Sequence, residues 1–145
     1  MKRRLFLQGF MGACAIGMSS PMAFAGSLYS PKRGDPLRKQ LLDTIRTRVE
    51  SDVRQRVLFV VTTINVLGNW AYLAVDPVDL KGKPIDIKTT KYADDANMMD
   101  GLTTYSLLKY KNGRWSEVSF FTGPTDVSQL AWIDEYGISK TLLGF

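Results

Sequence analysis

Asn112-Gly113 lies between two runs of alternating character, Leu102 to Lys111 and Arg114 to Phe121. A two-residue turn of this type places its central residues at positive φ, which matches the twist of paired antiparallel strands, so this stretch predicts a hairpin. An upstream stretch has the same form. Val57 to Val66 is dense in β-branched residues and reads as a long strand buried for much of its length. Leu67-Gly68-Asn69 supplies a tight turn, and Trp70 to Val75 returns. On the returning strand Trp70, Tyr72 and Ala74 share one face, while Ala71, Leu73 and Val75 share the other. Asp76-Pro77 is expected to end it, because Pro cannot donate to a continuing ladder.

Ahead of these strands, Asp35-Pro36 predicts a helix start: the Asp side chain can accept from free backbone N–H groups, and Pro is pre-set for the first helical position. Leu37, Leu41, Leu42, Ile45, Val49 and Val53 then form one apolar stripe. Arg38, Lys39, Asp43, Arg46, Arg48, Glu50 and Asp52 occupy the other positions and read as a solvated face with local ion pairs. Near the C-terminus Gly123-Pro124 breaks the last strand, and Thr125 or Asp126 is expected to cap a helix that ends at Tyr136-Gly137. Ser139 to Leu143 forms a last turn.

This order predicts an α+β domain: an N-terminal amphipathic helix laid on a curved antiparallel sheet of about four strands, with a C-terminal helix. The element order resembles the cystatin-like and NTF2-like folds. That resemblance implies a scaffold and no particular activity.

Residues 1–25 divide into a basic start (Lys2, Arg3, Arg4), an apolar middle from Leu5 to Met18, and Ala23-Phe24-Ala25. These are the parts of a cleavable signal, with cleavage expected after Ala25. The apolar middle is interrupted by Gln8, Gly9, Gly12 and Gly17, and a stable span needs about 20 apolar residues, so no membrane span is expected to remain. Cys14, in a phrase that loosely resembles a lipoprotein box, is expected to leave with the signal. Arg3-Arg4-Leu5-Phe6-Leu7-Gln8 resembles a twin-arginine export signal, a receptor-read address. The resemblance implies the twin-arginine export machinery as a partner, export in the folded state, and a periplasmic or otherwise exported bacterial location.

The signal also accounts for most of the charge. Lys2, Arg3 and Arg4 are three of the 19 basic residues in the chain's 145, and all 14 acidic residues lie beyond them. The mature part therefore carries 16 basic against 14 acidic side chains, too even a balance for a nucleic-acid reader. Cys14 is the single cysteine and the chain has no histidine, which excludes disulfides, thiol catalysis, and zinc or haem sites built from His or Cys. No cofactor and no metal is predicted. Residues 26–34 read as a mobile lead-in, and 35–145 are enough for one domain with one real core.

The long polar stretch from Val78 to Gly101 is the natural place to look for a site, since such connections are more often functional than their neighbours. Tyr92, Asp94, Asp95 and Asp100 form a candidate partner- or ligand-binding surface there. The acidic spacing does not fit a calcium loop, and turn and cap chemistry explains it better. For acid–base catalysis the available players are Asp100, Tyr105 and Glu117, although Glu117 also reads as an outward strand residue and Asp126 as a cap. With no His base and no G-x-S-x-G phrase, the serines read as surface residues. Among the aromatic residues, Trp132 beside Asp134 and Glu135 is the expected exposed binding residue, while most of the others fill the core.

Several phrases occur together: Gly34-Asp35-Pro36 with Arg38-Lys39 and Leu41-Leu42-Asp43, Gly68-Asn69-Trp70-Ala71, Asp100 to Tyr105, Asn112 to Trp115, and Gly123 to Val127. In these the chain resembles a family of small exported bacterial proteins with no assigned activity. The resemblance implies one domain and an envelope address. The leading expectation is a non-enzymatic periplasmic binding protein that uses the polar loop and sheet aromatics to hold a protein partner or small ligand. The alternatives are a small NTF2-like isomerase or hydrolase, an accessory subunit of an exported enzyme, and an immunity or inhibitor protein. N-terminal sequencing of the exported protein is expected to begin at Gly26, and replacing Arg3 and Arg4 by Lys is expected to leave uncleaved precursor inside the cell.

Overall fold

The computed structural model describes residues 26–145. The expected signal, with Arg3, Arg4, Phe6, Leu7, Cys14, Ala23 and Ala25, lies outside the described residues. Helix α1 runs from Pro36 to Val53, with Asp35 as its cap: the carboxylate accepts from the Leu37 N–H at 2.9 Å. Leu41, Ile45, Val49 and Val53 form its buried stripe. Arg54 closes the helix in a left-handed conformation at φ 61°, and its N–H returns to the Glu50 carbonyl.

Four strands follow in antiparallel order: β1 (Leu58–Leu67), β2 (Trp70–Val78), β3 (Thr104–Lys111) and β4 (Arg114–Thr122). Both hairpins turn on the expected residues, with Asn112 and Gly113 at φ 55° and 82°, the positive pair that strand twist favours. β2 does not end at Asp76-Pro77 but continues to Val78, with Pro77 opposite Phe59. Beyond Val75 its pairing with β3 has ended and only a single bridge, Val78 to Pro84, lies on that side, so Pro77 sits where the strand has no continuing ladder on one edge.

Two bulges decide which side chains reach the core. In β1 the register slips between Val61 and Thr63, leaving Thr62 as an extra residue. Phe59 and Val61 point to the α1 face before the slip, and Ile64 and Val66 after it, so one added residue keeps both halves apolar toward the helix. β4 does the same at Val118, placing Trp115 and Glu117, then Phe120, on the α1 face.

The sheet is covered on both sides. α1 lies over one face, packed on Ala71, Leu73, Val75 and Leu108. Over the other face, on Tyr72, Ala74 and Leu107, lies the C-terminal segment with Trp132, Ile138, Leu142 and Leu143. This corrects two expectations. Trp132 is not exposed: it is 1% accessible, stacks on Phe121, meets Tyr72 edge-on, and donates its indole N–H to the Ser119 hydroxyl at 3.0 Å. A large aromatic ring with one donor gains more from a covered sheet face than from solvent, and Asp134 and Glu135 simply mark the helix's outer side. The C-terminal helix is also short. A 3₁₀ turn at Ser128–Leu130 leads into α2 (Ala131–Tyr136), and the Asp126 carboxylate takes the Ser128 hydroxyl rather than capping a backbone N–H.

Within residues 26–34, expected as a mobile lead-in, Tyr29 and Ser30 are tied to the sheet. Tyr29 exchanges two backbone hydrogen bonds with Val66, at 2.8 and 2.7 Å, and its hydroxyl donates to Asp35. The Ser30 hydroxyl donates to Asn65 at 2.7 Å, and Asn65 in turn donates to the Leu142 carbonyl at 3.0 Å. Trp132→Ala is expected to lower stability by about 3–5 kcal/mol, the usual cost of emptying a buried Trp site, measured by urea unfolding of the purified protein.

Candidate functional site

The residues expected to form a catalytic group do not converge. Glu117 pairs with Leu108 on the α1 face, whereas Tyr105 pairs with Ala74 and Phe121 on the opposite face, stacked at 6.5 Å on Tyr72. The thickness of the sheet separates the phenol from the carboxylate. Asp100 stands exposed just after the 3₁₀ segment Ala93–Met98, where Asp94 and Asp95 are exposed as well. Burial pushes the Tyr72 hydroxyl well above its ordinary pKa, which keeps it protonated at any physiological pH. Among the described residues no group of three or more Asp, Glu, His or Cys side chains is placed to hold a metal ion.

Glu117 is not an outward strand residue. Arg48, 69 residues earlier on α1, clasps it with two parallel bonds, Nε to Oε1 at 2.7 Å and Nη2 to Oε2 at 2.9 Å. The Ser106 hydroxyl gives Glu117 a third bond at 2.6 Å. The remaining Arg48 nitrogen reaches Asp52 at 2.8 Å, and Lys91 meets the other Asp52 oxygen at 2.8 Å. Tyr92 adds its hydroxyl to Asp52 at 3.3 Å, and the Phe120 ring lies 3.5 Å from the centre of the guanidinium group. Of the loop residues expected to bind, Tyr92 is thus the one drawn into a cluster, by α1 rather than by a ligand.

The cluster contains two cations and two carboxylates, and nearly every lone pair is spent within it. Glu117 accepts three hydrogen bonds and Arg48 donates three of its five N–H groups, so both are held in place by the cluster. Its chemistry is that of a clasp, which locks α1 to β4 and draws the polar excursion down at Lys91 and Tyr92. Desolvation would push the Asp52 carboxyl up, but the hydrogen bonds and charges of Lys91 and Arg48 outweigh it and hold the group below its ordinary range.

A different feature is open. Past the Tyr29 bridge, residues 30–33 and the Val61–Asn65 stretch of β1 line a groove of about 400 Å³. Lys32, Arg33 and Arg38 line it together with Thr62 and Thr63. Lys32 and Arg33 are exposed, and among the described residues no carboxylate lies within ion-pair distance of either, while Arg38 spends one nitrogen on the Pro31 carbonyl at 3.2 Å. The neighbouring Asp35 is already committed to the α1 cap and the Tyr29 hydroxyl, and that bond raises the Tyr29 phenol above its ordinary pKa.

This groove was not anticipated from the sequence. One signal for it was present: the apolar positions of β1 change phase from Phe59 and Val61 to Ile64 and Val66, which demands an extra residue near Thr62. No family model, curated protein or solved structure matches the chain.

Because the folded state lowers the Asp52 pKa, this group adds stability that is fully present above its unfolded value of about 4 and is lost as pH falls through the folded value. Asp52→Asn removes that titration. Urea midpoints measured from pH 7 to pH 2.5 are therefore expected to fall less steeply below pH 4 for the variant than for the native chain, which would start higher at pH 7.

Proposed function

We propose that this is an exported, non-catalytic binding protein of the bacterial envelope that engages a protein partner along the β1 edge. The observation that carries this reading is the contrast between the two polar regions. The buried one, around Arg48 and Glu117, spends most of its hydrogen-bonding capacity internally, while the groove beside Thr62 presents exposed cations, Lys32 and Arg33, with no ion-pair partner among the described residues. A catalytic reading built on Asp100, Tyr105 and Glu117 lacks a common space in which all three could meet one substrate, because Tyr105 and Glu117 face opposite sides of a covered sheet.

The helix packed on a four-stranded antiparallel sheet supports a cystatin-like or NTF2-like relationship for the scaffold, and the envelope address rests on the twin-arginine-type start. Among the described residues no helix is long and apolar enough to cross a membrane. In this reading the protein acts in the periplasm through contact alone, as an accessory or inhibitory partner would.

A photo-crosslinking amino acid at position 62, introduced in cells, tests the reading. A discrete adduct in the envelope fraction is expected from position 62, with none from the exposed hairpin tip at Asn112, and Lys32→Glu with Arg33→Glu is expected to abolish it. No adduct at position 62, or one indifferent to the charge reversal, would overturn the edge as the binding surface.

A further inference from the structure

The bond pattern at the end of β1 states what the groove can accept. Val66 turns both of its backbone groups outward, because both are spent on Tyr29. In an antiparallel pair outward and inward residues alternate, so Ile64, two positions back and opposite Leu73, also turns its N–H and C=O outward. Among the described residues no backbone bond joins residues 30–33 to Ile64, which lines the groove with 4% of its surface accessible, so a one-residue bridge stands where a strand could have continued. The edge is thus started by the protein's own chain and then left without a backbone partner beside the groove.

Side chains around this open edge sort into two kinds. Lys32, Arg33 and Arg38 line the groove with positive charge, and their neighbour Asp35 is spent elsewhere. Farther along β1, Leu58 and Val60 are apolar side chains left 46% and 53% exposed, on the face away from α1. A strand laid against β1 sends alternate side chains to opposite faces, so one set could meet the cations and the other the exposed apolar pair.

Resting on the binding reading above, we infer that the groove receives an extended acidic segment of a partner protein, which adds to the sheet as a strand beside β1. Charge complementarity selects this occupant. A second copy of the chain would bring its exposed acidic pair, Asp94 and Asp95, on a 3₁₀ segment rather than an extended strand, and the first 25 residues hold no acidic side chain and carry Lys2, Arg3 and Arg4, so neither supplies an acidic strand. Backbone bonds to Ile64 supply affinity that does not depend on partner sequence, and the three cations supply the preference for carboxylates. Exposed cations and a bulge are also devices that keep an edge from pairing with just any strand, so the same features that admit an acidic segment exclude apolar and basic ones.

The test uses the full chain and a labelled, end-blocked heptapeptide of alternating glutamate and valine. Binding by fluorescence anisotropy is expected to weaken about tenfold or more for a lysine–valine peptide, for a backbone N-methylated version of the acidic peptide, and for the acidic peptide against Lys32→Glu/Arg33→Glu. Those two side chains are exposed and unpaired, so this variant is expected to keep the native unfolding midpoint. Amide exchange at Ile64 is expected to slow at least about tenfold with the acidic peptide bound. Equal binding of the N-methylated peptide, an unchanged Ile64 amide, or full competition by millimolar inorganic phosphate alone would overturn strand addition. Preferential binding to anionic lipid vesicles over the peptide would overturn a protein segment as the occupant. A position-62 adduct in cells together with a peptide that fails to bind would sink the acidic strand while leaving the binding reading intact; loss of the adduct would sink both.

Discussion

Tyr72 and Leu73 are neighbours in the chain and both are buried, on opposite faces of β2. A strand with apolar side chains on both faces cannot leave either one in water, so the sheet needs two covers. α1 supplies one through Leu41, Ile45 and Val49, and the C-terminal segment supplies the other through Trp132, Ile138 and Leu142. Much else follows from this demand. It takes Trp132 inside, holds Asn65 against the last turn, and leaves neither sheet face as an open cup. Only the edges remain exposed as sheet.

The clasp around Arg48 answers a second demand, that a polar face of α1 must lie close to β4. Burying two carboxylates and a guanidinium is costly unless each finds its partners, and here the paired bonds to Glu117, the bond to Asp52 and the Ser106 hydroxyl meet that condition. The cluster joins α1, β3, β4 and the excursion at Lys91 and Tyr92, four parts of the chain far apart in sequence. Charged residues on a helix are ordinarily solvated. Arg48 and Asp52 differ because the phase change at Val118 brings both Glu117 and Phe120 round to the same side.

Local chemistry was the legible part. Asp35-Pro36, Asn112-Gly113 and the alternation from Trp70 to Val75 each carry their own geometry, and the helix start, hairpin and two-faced strand formed as those residues require. The misreadings share one cause, which is the presence of something distant. Trp132 looked like a surface residue because its neighbours are acidic, Glu117 looked outward because β4 alternates without its bulge, and the stretch before α1 looked loose because Val66 is 37 positions beyond Tyr29. Pro77 reads as a stop for a similar reason: whether a strand has a continuing ladder on one edge is a property of the sheet and not of the strand.

The sequence by itself determined an α+β order, the cap of α1, the turns, and the side of β2 on which each residue falls, because caps, turns and two-residue alternation depend on atoms a few bonds apart. It also placed three of the five units of net positive charge in the first four residues and ruled out chemistry that needs a histidine side chain. Tertiary structure decided which carboxylates are spent and which cations are free. Arg48 met Glu117 and became a clasp, whereas Lys32 and Arg33 met no carboxylate and became the rim of an open edge. The difference arises from pairings across the sheet, where one bulge residue reverses the face of every side chain that follows it.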